Sequence, residues 1–165
     1  LYANSITRML DRAFAVNAGA MTDHALPAAI DSRSYANGRF GDIASATALQ
    51  GFSIDPSWRP TDGKEARQGY VNVPALVSER TGASFEVHTS GTAFGLMITS
   101  GPDAGDIAVS VDGGPMRTIS TVTAWSKSLH LPWALMIADD LKPGPHVLRF
   151  KVVSGALRVF HFLES

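Results

Sequence analysis

The chain contains no cysteine. Disulfides, thiolate nucleophiles and zinc–thiolate sites are therefore excluded. No sign of charge dominates either: 14 Lys and Arg stand against 15 Asp and Glu, for a net charge of −1. That leaves no basic field for nucleic acid and no polybasic segment for anionic lipid. No apolar run approaches the roughly 18–20 residues needed to span a bilayer, so no membrane span is expected. Catalytic motifs are missing as well. There is no Gly-x-Ser-x-Gly nucleophile elbow and no Gly-rich phosphate loop closing on Lys-Ser or Lys-Thr. The five histidines, His24, His88, His130, His146 and His161, stand singly rather than at metal-chelating spacings. No metal centre and no cofactor is expected.

What is present supports a real core: 165 residues, 45% of them apolar, an ordinary composition for one domain with an appendage. The first residues are helical in pattern. Tyr2, Ile6, Met9, Leu10, Ala13 and Val16 form one apolar stripe, with Asn4, Thr7, Arg8, Asp11 and Arg12 opposite. Gly19 is placed to cap the C-terminus. No N-cap residue precedes Leu1, so residues 1–19 read as the last helix of another domain, with Tyr2, Ile6, Met9 and Leu10 as its contact face. Residues 20–50, rich in Ala, Ser, Gly and Asp, read as a linker leading into short extended segments.

From residue 51 the period changes to two. Phe52 and Ile54 alternate with Ser53 and Asp55. Arg59-Pro60-Thr61-Asp62-Gly63-Lys64 is a turn-rich, exposed loop. Strands are expected at Val73–Ser78, Ser84–Thr89, Ala93–Thr99, Ile107–Asp112, Met116–Thr121, His130–Ile137, Val147–Val153 and Leu157–Leu163. Asp112-Gly113-Gly114-Pro115 between two alternating runs is a strong hairpin signal. So many short strands with turns between them predict a mainly β fold over residues 51–165: an antiparallel β-sandwich, jelly-roll-like.

No self-contained active site emerges. Asp23-His24 is a loop pair whose side chains point apart. Asp103, Asp106 and Asp112 flank one turn, where oxygen ligands could hold Ca²⁺, although turn carboxylates commonly serve backbone amides instead. The aromatics suggest binding. Trp125 and Trp133 bracket Lys127 and His130, and a sugar could stack its C–H face on such rings while polar neighbours take its hydroxyls. Alternatively, Trp133 opens a buried strand and Trp125 caps the sandwich or packs on a neighbouring domain. Trp58, beside Arg59-Pro60, is expected to be the more exposed ring and joins Trp125, Lys127, His130 and Trp133 as a candidate ligand-binding residue.

Several segments resemble one family: Gly69-Tyr-Val-Asn-Val-Pro-Ala-Leu-Val-Ser78, Gly91-Thr-Ala-Phe-Gly-Leu96, Ser100-Gly-Pro-Asp-Ala-Gly105, Val111-Asp-Gly-Gly-Pro115 and Trp125-Ser-Lys-Ser-Leu-His-Leu-Pro-Trp133. Together they resemble the β-sandwich that follows the catalytic domain in a group of bacterial SGNH/GDSL-type hydrolases. Leu1-Tyr-Ala-Asn-Ser-Ile6 resembles the final helix of that catalytic domain. The resemblance implies an esterase or deacetylase acting on acylated carbohydrate by a Ser-His-Asp mechanism, a periplasmic or extracellular location, and an N-terminal SGNH domain as partner. It transfers no catalytic residue. Gly41-Asp42 and Gly105-Asp106 are each followed by Ile, and none of the eleven Asp residues has His three positions later. Family members usually carry a longer loop between the last two strands than Val153–Ala156 provides. A stand-alone carbohydrate-binding or structural sandwich is the alternative.

Overall fold

In the computed structural model, residues 2–15 and 35–165 are described, and the chain divides into two units, Leu1–Ser32 and Arg33–Ser165. The first contains helix α1, Tyr2–Ala15. Every described residue of α1 is exposed, including Tyr2, Ile6, Met9, Leu10 and Phe14. The expected continuation through Val16 to the Gly19 cap lies outside the described residues, as do Asp23 and His24.

The second unit is built of strands β1 (Arg39–Gly41), β2 (Thr47–Gln50), β3 (Ser53–Trp58), β4 (Glu65–Ala66), β5 (Val73–Ser78), β6 (Ser84–Ser90), β7 (Phe94–Ser100), β8 (Asp106–Val111), β9 (Arg117–Ser120), β10 (Leu129–Ala138), β11 (Pro145–Val152) and β12 (Leu157–Glu164). One sheet runs β3-β5-β12-β7-β10-β4, with β1 also paired to β12; the other runs β2-β6-β11-β8-β9. All strand pairings among the described residues are antiparallel except the two-residue meeting of β4 with β10. The mainly β fold with two antiparallel sheets is as the sequence predicts. The eight expected strands appear with ends shifted by at most two residues. The extended segments expected before residue 51 are β1 and β2, each hydrogen-bonded into one sheet.

Period-two patterning explains the core. Phe85 and Val87 on β6, and Leu148 and Phe150 on β11, turn inward while Glu86, Arg149 and Lys151 face water. The inward faces meet Leu76, Leu96 and Ile98 of the larger sheet in one cluster. Phe85 stacks on Phe150 at 4.7 Å between ring centroids, and burying each such ring stabilises the fold by about 1.5–3 kcal/mol. The turn after β8 follows its sequence signal. Asp112 (φ 52°) and Gly113 (φ 73°) both adopt positive φ, and the Gly114 N–H donates to the Val111 carbonyl at 2.9 Å, as a primed hairpin turn requires.

Candidate functional site

One end of the sandwich gathers the segments after β3, β7, β9 and β11. The loop after β3 is drawn in when Arg67 N–H donates to the His130 carbonyl at 3.0 Å beside the β4–β10 pairing. The turn after β7 is held by Thr121, whose N–H and hydroxyl both donate to the Gly105 carbonyl. The turn after β11 joins it as Ala156 N–H donates to the Asp103 carbonyl at 2.9 Å.

His130 sits at the centre of this end, 1% exposed. Its Nε2 lies 3.0 Å from an Asp62 carboxylate oxygen. A carboxylate only accepts, so Nε2 carries the hydrogen. Nδ1 has no hydrogen-bond partner. Gly101 abuts the ring there: a Cβ on that glycine would collide with Nδ1 and lie 2.6 Å from Cε1. Trp58 meets the imidazole edge-on, with centroids 5.9 Å apart. Behind Trp58, the Arg158 guanidinium lies 5.2 Å from the indole centroid. It also forks onto both carboxylate oxygens of Asp103. Burial opposes charge on Asp103, but Arg158 outweighs it and holds the carboxyl below the ordinary carboxylate value. The Lys64 N–H foremost, then the His130 N–H against an opposing desolvation, likewise lowers Asp62.

Donor atoms of Asp62, Asp103 and His130 lie within 4.8 Å of one another, a spacing that could suit a shared cation. Two features of the group compete with a cation. Arg158 already neutralises Asp103, and the Gly101 backbone crowds the one unused histidine nitrogen. Of the three acidic residues named for Ca²⁺, Asp103 is paired with Arg158, Asp106 lies outside the group, and Asp112 pairs with His146.

Trp125 stands out from this base with its side chain 72% exposed. The next residue anchors it. Ser126 is fully buried; its hydroxyl accepts from the Ser100 hydroxyl at 2.7 Å and from Thr123 N–H at 3.1 Å, and donates to the Thr123 carbonyl. An exposed indole on a pinned turn is a preorganised apolar platform. Lys127 follows on the same turn, exposed. Trp133 lies farther along β10 opposite Ile98, 41% exposed.

Two expectations are corrected. Trp58 is not the exposed ring: it is 6% exposed, packed edge-on against Phe160 at 5.7 Å. His130 has no free surface for a ligand and instead holds the loop that carries Asp62. Arg158 and Ser126 were missed by sequence reasoning. An Arg inside the apolar run Ala156–Leu163 was the available signal for the first; nothing local marked the second.

No protein-family model matches the chain, and no curated protein sequence matches it. The fold has counterparts among solved structures. A two-domain esterase (CEX) active on acetylated mannans superposes with a TM-score of 0.73 at 14% identity, covering 99% of this chain and 45% of the esterase. A family 35 carbohydrate binding module from Clostridium thermocellum gives 0.51 at 12% identity, over 79% of this chain and 99% of that one. An exo-β-1,3-galactanase from Phanerochaete chrysosporium gives 0.52 at 13% identity, over 76% and 29%. The likeness shows the fold: a sandwich shared with a carbohydrate binding module and with part of two carbohydrate-active enzymes. The chain spans less than half the length of the two-domain esterase it matches.

Proposed function

We propose that the chain is the accessory portion of an SGNH/GDSL-like carbohydrate esterase whose Ser-His-Asp residues lie outside these 165 positions. In this reading the sandwich holds acylated glycan at the Trp125 turn, and α1 belongs to the hydrolase domain. One observation carries it: the exposed indole of Trp125 rests on the buried Ser126 anchor. The ring would receive the apolar face of a sugar, with the Lys127 ammonium available to hydroxyl or acyl oxygens. The two-domain esterase of the same fold acts on acetylated mannans, which makes O-acetylated mannan the first ligand to try.

The test is affinity electrophoresis of the chain in gels cast with acetylated mannan. Retardation is expected, and Trp125→Ala should weaken binding at least about tenfold, roughly 1.4 kcal/mol, with the melting temperature unchanged. Equal retardation of the two proteins sinks the Trp125 assignment. Binding without any attached hydrolase domain in the gene product would favour a stand-alone module; the full coverage of the family 35 module by this fold supports that second reading.

A further inference from the structure

The two sheets differ on their outer faces. In the smaller one, β6 and β11 alternate, and their outward residues include Glu86 and Arg149, paired at 2.8 Å. In the larger one, β7 and β10 do not alternate: Phe94-Gly-Leu-Met-Ile98 and Leu131-Pro-Trp-Ala-Leu-Met-Ile137 are unbroken apolar runs. Such runs belong to strands covered on both faces. Here Phe94, Leu96, Ile98 and Ile137 fill the core and Met97 packs on a second cluster of Trp58, Ala75 and Phe160, while Met136 and Phe40 of β1 remain exposed. Tyr35, Phe40, Met136 and Leu163 wall an apolar hollow of about 260 Å³. The charged side chains lining it, Arg39 and Glu164, pair with each other at 2.8 Å.

The adjoining edge is equally bare. β10 meets β4 only at Leu129 and His130, so among the described residues its length from Leu131 to Ala138 has one unpaired side. No charged residue guards that side, although exposed edges ordinarily carry them. Met136 belongs to both hollow and edge, so the two form one apolar surface. With Arg39 and Glu164 spent on each other, it offers few free polar groups to a sugar and fits a protein.

Resting on the accessory-module reading, we infer that this face and edge seat a second folded domain of the same polypeptide, laid over Phe40, Met136 and the open side of β10. The choice of occupant follows from two observations. The esterase sharing this fold has more than half its chain outside the match. Tyr35 and Phe40 also lie in the segment where the polypeptide enters the sandwich, which keeps a domain on the same chain at high local concentration over this face.

The experiment uses the whole gene product that carries this chain, with the photoreactive residue p-benzoylphenylalanine at position 40 or 136. Irradiation should give intramolecular cross-links to residues outside these 165. Peroxide should oxidise Met136 at least about fivefold more slowly than Met116, which is exposed beyond β8. Cross-links joining two copies would overturn the inference in favour of a homodimer. Absence of cross-links with equal oxidation of the two methionines would overturn it outright. Mannan retention by the same product, with and without Trp125→Ala, is read separately, so loss of glycan binding tells against the proposed function alone.

Discussion

His146 and Asp112 form an ion pair at 2.7 Å, and the second ring nitrogen of His146 lies 2.7 Å from the Lys142 carbonyl. Both partners are acceptors, an arrangement that favours the doubly protonated, cationic imidazole. The Asp112 hydrogen bond foremost, then the Lys142 carbonyl, raises the His146 pKa above its ordinary value. The Val147 N–H, then His146, lowers that of Asp112. The pair ties the turn after β8 to the turn before β11, at a site separate from Trp125.

From this pair a pH dependence follows. A raised histidine pKa contributes stability that is full below about pH 6.5, the unfolded value, and is lost as pH rises through the folded value. The lowered Asp112 pKa contributes above about pH 3.9 and is lost as pH falls through its folded value. Asp112→Asn keeps the positive φ that Asn tolerates but removes the charge. The melting-temperature gap between the two proteins should be largest between about pH 4.5 and 6.5 and shrink by pH 9. A gap that does not vary with pH would contradict the cationic His146.

Asp103→Ala strands the Arg158 guanidinium, whose side chain is 4% exposed, with only the exposed Glu79 carboxylate at 3.8 Å. Removing one partner of a fully buried pair costs about 3–5 kcal/mol. Water reaches Asp103, so about 2–3 kcal/mol is expected, measured by urea unfolding. A loss below about 0.5 kcal/mol, the range of an ordinary surface change, would show that Arg158 does not depend on Asp103.

Gly101→Ala should drive a methyl into the His130 ring. Overpacking of this kind costs about 1–3 kcal/mol. Because the ring must shift, the Asp62 bond should break too. Amide exchange should then quicken at Lys64, whose N–H donates to Asp62 at 3.0 Å. Unchanged melting and exchange would mean that Gly101 is not packed on the ring as described.

The sandwich was legible because its strands carry their period in the chain: Phe85, Val87, Leu148 and Phe150 fall at alternate positions, and Asp112-Gly113 names its own turn. Trp58 was misjudged because its neighbours Arg59 and Pro60 look like surface. Its burial comes from Phe160 and Arg158, about a hundred residues later in the chain. Separation along the chain also hid the Asp62–His130 pair, 68 residues apart, and the His146–Asp112 pair, 34 apart, which exist only once β10 and β11 are folded. Trp125 is proposed from its type and neighbourhood, but the buried serine that follows it, hydrogen-bonded to Ser100 on β7, has no local mark.

In β1 and β12, Arg39 stands opposite Glu164, and the pair is closed by an ion pair. The first and last described strands are therefore neighbours. A unit with those strands side by side can serve as a cassette. It can be spliced into a surface loop of an unrelated host, or have its ends rejoined by a short linker and reopened at another turn, with little strain on either part.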